Sequence, residues 1–347
     1  MISGLTAARE PIGLREQNQR VMVVVTVGDC PPSIATEVGM YLFTRLNEGS
    51  TMAPQASVSR IAINTILLAT DFSAEGRNAL QCAIFLAKRY KSTLLITHVL
   101  PAEGSMEPVE GRSILTDAIQ HIAEKSMAKL EKTEGLKSLP HEVIIQSGDS
   151  WDVISEVLLD KNVDLVVMGT HGRGGIKKLF LGSTAERIIR HAACPVLTLG
   201  PHVPSVSRKR LGHIFYASDF SSGSRIALTY ALSLAEEDRA YLTMLHVIER
   251  QPTSQSEVRE WKQENREKLS QMVSSDLNLP HKPEIEVEFG IPEKEIVRLA
   301  RTRKADLIVM GSHSGGVLSR HLPWTTLHYV LQHAHCPVLT VHDEIEQ

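Results

Sequence analysis

The chain has 347 residues, of which 42% are hydrophobic and 22% charged, with 37 Lys and Arg against 40 Asp and Glu for a net charge of −3. That length suits about two domains at ~150 residues each, and such an apolar content builds a core without disulfide or metal staples. The near-neutral charge excludes the strong positive field of a nucleic-acid or anionic-membrane binder, and an aromatic content of 5% leaves few platforms for base stacking.

Residues 1–60 come first and match nothing later in the chain. Their longest apolar run, Val21–Val27 (VMVVVTV), is followed by Gly28-Asp29 and has no small-residue cleavage site. It is too short to cross a bilayer, and nothing elsewhere reaches the ~18 apolar residues a span requires. The stretch reads as an N-terminal extension, poorly ordered or arising from a misassigned start, with Met52 a natural alternative start. Cys30, Cys82, Cys194 and Cys336 are scattered and form no CxxC pair. This pattern suits reduced thiols in a cytoplasmic protein better than a disulfide framework or a zinc ribbon.

From Thr65 onward, strands and helices alternate. Thr65–Ala69 is a short continuous apolar run, the mark of a strand buried on both faces. Ser73–Tyr90 follows at helical spacing (Ala79, Leu80, Ala83, Leu86, Ala87), with Ser73 placed to cap it. Next come a strand at Leu94–Val99, a helix at about Ser113–Thr133, a strand at His141–Gln146 and a helix at Asp152–Asp160. Asp164–Met168 is a strand, Ser183–His191 a helix, and Val196–Leu199 the closing strand. Pro201–Arg210, with two prolines and a basic cluster, reads as a linker.

The same order then repeats. Asp164–Leu199 aligns with Asp306–Val341 at a constant offset of 142, without a gap, with 15 of 36 positions identical. Upstream, Ile66–Ser73 (ILLATDFS) matches Ile214–Ser221 (IFYASDFS) and Leu95–Val99 matches Thr243–Val247, both at an offset of 148. The chain is therefore a domain duplication: residues 1–60, a first domain at 61–200, a linker at 201–210 and a second domain at 211–342. Strands joined by helices imply right-handed crossovers, so each copy is expected to be a doubly wound α/β domain around a five-stranded parallel sheet. The layering is that of flavodoxin-like or adenine nucleotide alpha hydrolase-like folds. Ligands of such sheets sit beyond the carboxyl ends of the strands, at the switch point.

The residues just after the strands are therefore the ones to inspect. Gly169-Thr-His-Gly172 follows the fourth strand, and after nine intervening residues Gly182-Ser183-Thr184 opens a helix. Glycines let a backbone approach an anion, and a helix N-terminus offers free N–H groups and a favourable dipole. This is a phosphate cradle, although it lacks the GxxxxGK[ST] of a P-loop. The pattern resembles the ATP signature of the universal stress proteins, G-x-x-G, nine residues, G-[ST], which Gly169, Gly172, Gly182 and Ser183 meet without deviation. The resemblance covers about 62–200 and 211–342. It implies ATP, alone or with Mg²⁺, as the ligand. It further implies that Asp71 accepts from the ribose hydroxyls, that Thr70 and Val99 line the adenine pocket, and that Met168 and Gly169 face sugar and phosphates. Gly182, Ser183 and Thr184 would then hold the phosphates. An Asp at a strand-to-helix turn can also serve as a cap with no ligand at all. His98 and His171 lack a partner at metal spacing and are read as structural, so neither a catalytic nor a metal-binding residue is assigned. Gly148-Asp149 reads as turn chemistry.

Copy two departs from the signature. Ser314 stands for Gly172 and Trp324, preceded by Pro323, for Gly182; Gly311, Thr325 and Asp219 persist. The resemblance thus implies an ATP-binding stress-response module with one intact site and a pseudo-symmetric partner. Val196–Leu199 and Val338–Val341 are the strands expected to pair within the chain, and a homodimer of tandem chains is open. An enzyme of the same fold, an ATP pyrophosphatase or adenylyl-transfer relative, usually carries a serine-rich loop after the first strand, which Thr70-Asp71-Phe72-Ser73 does not match. A nucleotide-free scaffold is the third reading. ATP titration separates it from the other two.

Overall fold

The computed structural model describes residues 61–102, 112–170, 181–204, 210–274, 277, 279–312 and 323–342, so the 1–60 segment, His171, Gly172, Ser314 and the side chain of Trp324 lie outside it. Copy one runs β1 (Thr65–Ala69), α1 (Ala74–Tyr90), β2 (Thr93–Leu100), α2 (Arg112–Leu130), β3 (His141–Ser147), α3 (Ser150–Asp160), β4 (Leu165–Gly169), α4 (Ser183–His191) and β5 (Val196–Leu199). Copy two runs β6 (His213–Ala217), α5 (Ser222–Asp238), β7 (Tyr241–Ile248), α6 (Gln255–Gln271), β8 (Glu284–Phe289), α7 (Pro292–Thr302), β9 (Leu307–Ser312), α8 (Pro323–His333) and β10 (Val338–His342). Sequence and structure agree on each element of copy one to within a few residues.

The two five-stranded sheets fuse. The strand order is β3-β2-β1-β4-β5-β10-β9-β6-β7-β8, parallel within each copy. Among the described strands only β5 and β10 run antiparallel, with Leu197 opposite Leu339. The expected pairing of the two closing strands is therefore present within one chain. It removes one edge from each sheet, edges being the parts of a sheet most prone to unwanted pairing.

Side chains alternate across the sheet with the period of two that a pleated strand imposes. Ile66, Leu68, Ile214 and Tyr216 join the core beneath α1, α2, α5 and α6, and Leu67, Val166, Phe215 and Ile308 the core beneath α3, α4, α7 and α8. Both cores run through both copies. Asp164 and Asp306 repeat a tie at the strand starts: Oδ2 of each accepts from two successive backbone N–H groups, those of Asn64 and Thr65 in copy one and of Gly212 and His213 in copy two.

A charged contact joins α1 to α5. The Arg89 guanidinium donates to Asp238 at 2.6 Å and Glu237 at 3.0 Å, and the Tyr90 hydroxyl donates to Glu237 at 2.8 Å. At the repeat offset of 148, Arg89 corresponds to Glu237 and Tyr90 to Asp238. Equivalent positions thus carry opposite chemistry and meet each other. Two copies of the first domain would set Arg89 against Arg89, so this contact favours one copy against the other over like against like.

Candidate functional site

In copy one the chain passes from β1 to β2 on one side and returns through β3 to β4 on the other, so the switch point lies between β1 and β4. Such crevices admit ligands because the loops leaving the two strands diverge. Thr70-Asp71-Phe72-Ser73 leaves β1 there. The Thr70 hydroxyl accepts from Phe72 N at 3.1 Å, Asp71 Oδ1 from Ser73 N at 3.0 Å, and Ser73 Oγ caps α1 by accepting from Gly76 N at 3.0 Å. The cap is thus Ser73, as its position in the sequence suggested, and not Asp71. Phe72 takes φ 63°, a left-handed value that costs a non-glycine residue ~1–2 kcal/mol. His98 Nδ1 stands 2.7 Å from the Thr70 carbonyl, which can only accept, so the ring donates and braces the turn while packing on Phe72 at 4.5 Å. His246, Ser218 and Phe220 repeat the arrangement in copy two.

The turn holds Asp71 with one carboxylate oxygen engaged and one idle. Oδ2 is buried and accepts no hydrogen bond among the described residues. A buried acceptor without a donor costs roughly 1–3 kcal/mol, so native sites rarely keep one without a use. Thr97 adds a buried hydroxyl, also without a partner among the described residues. It sits on β2 opposite Ala69, two residues before Val99, and its carbonyl accepts from Thr70 N. Val99 itself lies inside β2, paired with Gln146, rather than beyond the strand. No sequence signal singled out Thr97; its counterpart in copy two is Leu245.

Across the crevice, Met168 and Gly169 close β4, Met168 buried and paired with Ala69 and Thr198. Gly169 is a glycine for a packing reason: a Cβ there would stand 2.9 Å from Glu75 Cβ and 3.1 Å from the Glu75 carbonyl carbon at the start of α1. Gly182 is different. It takes ordinary extended angles (φ −63°, ψ 145°), and of the described residues a Cβ would meet only the Thr170 carbonyl oxygen, at 3.6 Å. Among the described residues, the protein's own packing does not demand a glycine at 182. Gly182 N donates to Thr170 O at 3.0 Å, and as a glycine N-cap it offers the opening N–H groups of α4 no side-chain acceptor of its own. Ser183 and Thr184 start that helix, Ser183 exposed and Thr184 half-buried. The structure therefore brings Thr70, Asp71, Val99, Met168, Gly169, Gly182, Ser183 and Thr184 to the carboxyl ends of β1, β2 and β4.

Copy two keeps the frame and alters the contents. Ser224 replaces Gly76, and its hydroxyl and that of Ser221 both donate to Asp219 Oδ1, which also accepts from Ser221 N. A Cβ on Gly311 would fall 2.3 Å from Ser224 N, closer than anything Gly169 meets, so α5 sits tighter on β9 than α1 does on β4. Helix α8 begins at Pro323, two positions ahead of the counterpart of Ser183, so a residue without an N–H occupies its first turn.

A family model described as the universal stress protein family matches residues 62–199 and again 211–342. The chain belongs to the universal stress protein family. Each match covers one copy, in line with the duplication. A universal stress protein of Methanocaldococcus jannaschii is 33% identical over 148 residues, covering 39% of this chain and 80% of that protein. One from Thermus aquaticus is 31% identical over 137 residues, covering 38% of this chain and 96% of the relative. Among solved structures, a universal stress protein from Archaeoglobus fulgidus superposes with a TM-score of 0.59 at 19% identity, covering 82% of this chain and 98% of that one. That match spans both universal stress domains and supports the shared fold. Among the described residues no helix is long and apolar enough to cross a membrane.

Proposed function

We propose that this universal stress protein binds ATP in its first copy and that the second copy serves as a pseudo-symmetric partner which completes the sheet. The reading rests chiefly on Asp71: a buried carboxylate oxygen with no donor among the described residues, at the switch point, is the acceptor a ribose hydroxyl would satisfy. Three further features fit an adenine nucleotide. The space beside Gly182 and the uncapped start of α4, with Ser183 and Thr184, suit phosphate oxygens. Thr70, Thr97 and Val99 would line the base, and Met168 and Gly169 the sugar and phosphates, with Gly172 supplying further backbone. Mg²⁺ would arrive with the phosphates rather than at a protein-built site. Bound nucleotide would tie the β1 turn to α4, so occupancy becomes a signal carried by the shape of the copy-one surface, in a cytoplasmic stress response.

Titrating ATP into Asp71→Ala and Asp219→Ala variants tests the reading. A charge-assisted hydrogen bond contributes about 1.5–3 kcal/mol, or roughly 10- to 150-fold in affinity. Asp71→Ala should lose at least tenfold and Asp219→Ala should change little. Equal losses from the two would place nucleotide in both copies and defeat the one-site reading.

A further inference from the structure

A cavity of about 480 Å³ lies over the β5–β10 seam, between α1 and α5. It shares no residue with the nucleotide site proposed above and does not depend on that reading. Within each copy its walls come from segments leading into strands, whereas the candidate nucleotide residues sit at strand exits. Its volume falls within the ~300–1,000 Å³ typical of small-molecule sites, which favour domain junctions.

The central wall is apolar and two-fold in character. Leu197 and Leu339, paired across the seam, form the floor, and Leu86 faces its repeat counterpart Leu234. Cys82 adds a buried thiol whose pKa burial pushes up to about 12, so it behaves as a small neutral wall. The symmetry fails at one end. Arg301 and Lys304 line the cavity there, and their counterparts in copy one are Leu159 and Asn162. Other charges at the rim are already engaged. Arg89 and Arg210 face Asp238, and Asp164 and Asp306 hold backbone N–H groups. Arg301 and Lys304 are exposed and have no ion-pair partner within the described residues, so that even with the Asp306 carboxylate in the same wall this end of the apolar chamber keeps an excess of positive charge.

We propose that this cavity binds an amphipathic monoanion: an unbranched apolar chain lying between Leu86, Leu234, Leu197 and Leu339, and a carboxylate head at Arg301 and Lys304. The chain supplies the apolar surface these leucines would bury, and the head answers the unmatched charge.

The test uses the full chain with a dansyl-labelled undecanoate as fluorescent probe, displaced by decanoate or by decanol. The expected result is saturable probe binding, displaced by decanoate at least tenfold more effectively than by decanol. In an Arg301→Gln/Lys304→Gln variant, surface changes that leave the core intact, decanoate should weaken about tenfold while decanol is unchanged. Leu86→Trp, which narrows the chamber where the chain would lie, should weaken both. The proposal is overturned if decanoate fails to displace the probe, if its advantage over decanol survives in the double variant, or if a folded Leu86→Trp chain binds both ligands as before.

Discussion

Gly169 and Gly182 belong to one glycine signature yet should fail in different ways when substituted. At Gly169 a methyl group would press to 2.9 Å on Glu75 Cβ and 3.1 Å on the Glu75 carbonyl carbon. Backbone in the first turn of α1 cannot move aside without disturbing the Asp71 turn. Overpacking of this kind costs ~1–3 kcal/mol, or roughly 2–10 °C in melting temperature for a domain of a few hundred residues. At Gly182 the angles suit any residue, and among the described residues the nearest atom to a new Cβ is 3.6 Å away. Gly182→Ser adds a favoured N-cap, so stability should hold within a few tenths of a kcal/mol. Its hydroxyl would claim the N–H groups offered to phosphate and its Cβ would fill the cradle, so ATP affinity should drop at least tenfold. Thermal unfolding without nucleotide, paired with ATP titration, reads both effects. A Gly169→Ala chain that melts like the parent would refute the packing argument. A Gly182→Ser chain that keeps full affinity would refute the cradle.

Two further predictions concern the frame. Arg89→Ala strips Asp238, whose side chain is 2% exposed, of its closest cation. Removing one member of a buried pair costs ~3–5 kcal/mol, and the Leu211 N–H and Arg210 that Asp238 retains set the expectation at the low end. Chemical denaturation should show that loss, with a smaller one for Arg89→Met/Asp238→Asn; equal losses would mean that a stranded Asp238 charge is not the source of the cost. Burial lowers the pKa values of His213 and His246. Their unfolded values lie near 6.5, so between that pH and the lowered folded values the unfolded chain binds more protons. Stability is therefore full above about pH 6.5 and declines as pH falls through the window. Melting temperatures at pH 7.5 and 5.5 should differ less in His213→Gln/His246→Gln than in the parent, and an unchanged difference would dismiss the histidines as its source.

The duplication was legible because buried parallel strands write themselves as aliphatic runs, and copies sharing CPVLT at one offset announce equivalent closing strands. The Ser73 cap was legible because capping is local. The reason for Gly169 was not, since a glycine for helix packing and a glycine for phosphate look alike until α1 is placed over β4. Thr97 was missed because a threonine in a β-branched strand carries no mark; only its burial and its idle hydroxyl single it out. Arg89-Tyr90 against Glu237-Asp238 reads as ordinary surface charge until β5 meets β10 and brings the two helix ends together. The early start of α8 could have been read from Pro323, whose fixed φ suits the first helical position.

Native mass spectrometry of the full chain under saturating ATP tests the central claim most directly, because it counts nucleotides per polypeptide. The account predicts one per chain, retained in Asp219→Ala and, at ATP near the parent's Kd, reduced about fivefold or more in occupancy in Asp71→Ala. A chain that takes up no nucleotide, or takes up two, would contradict it.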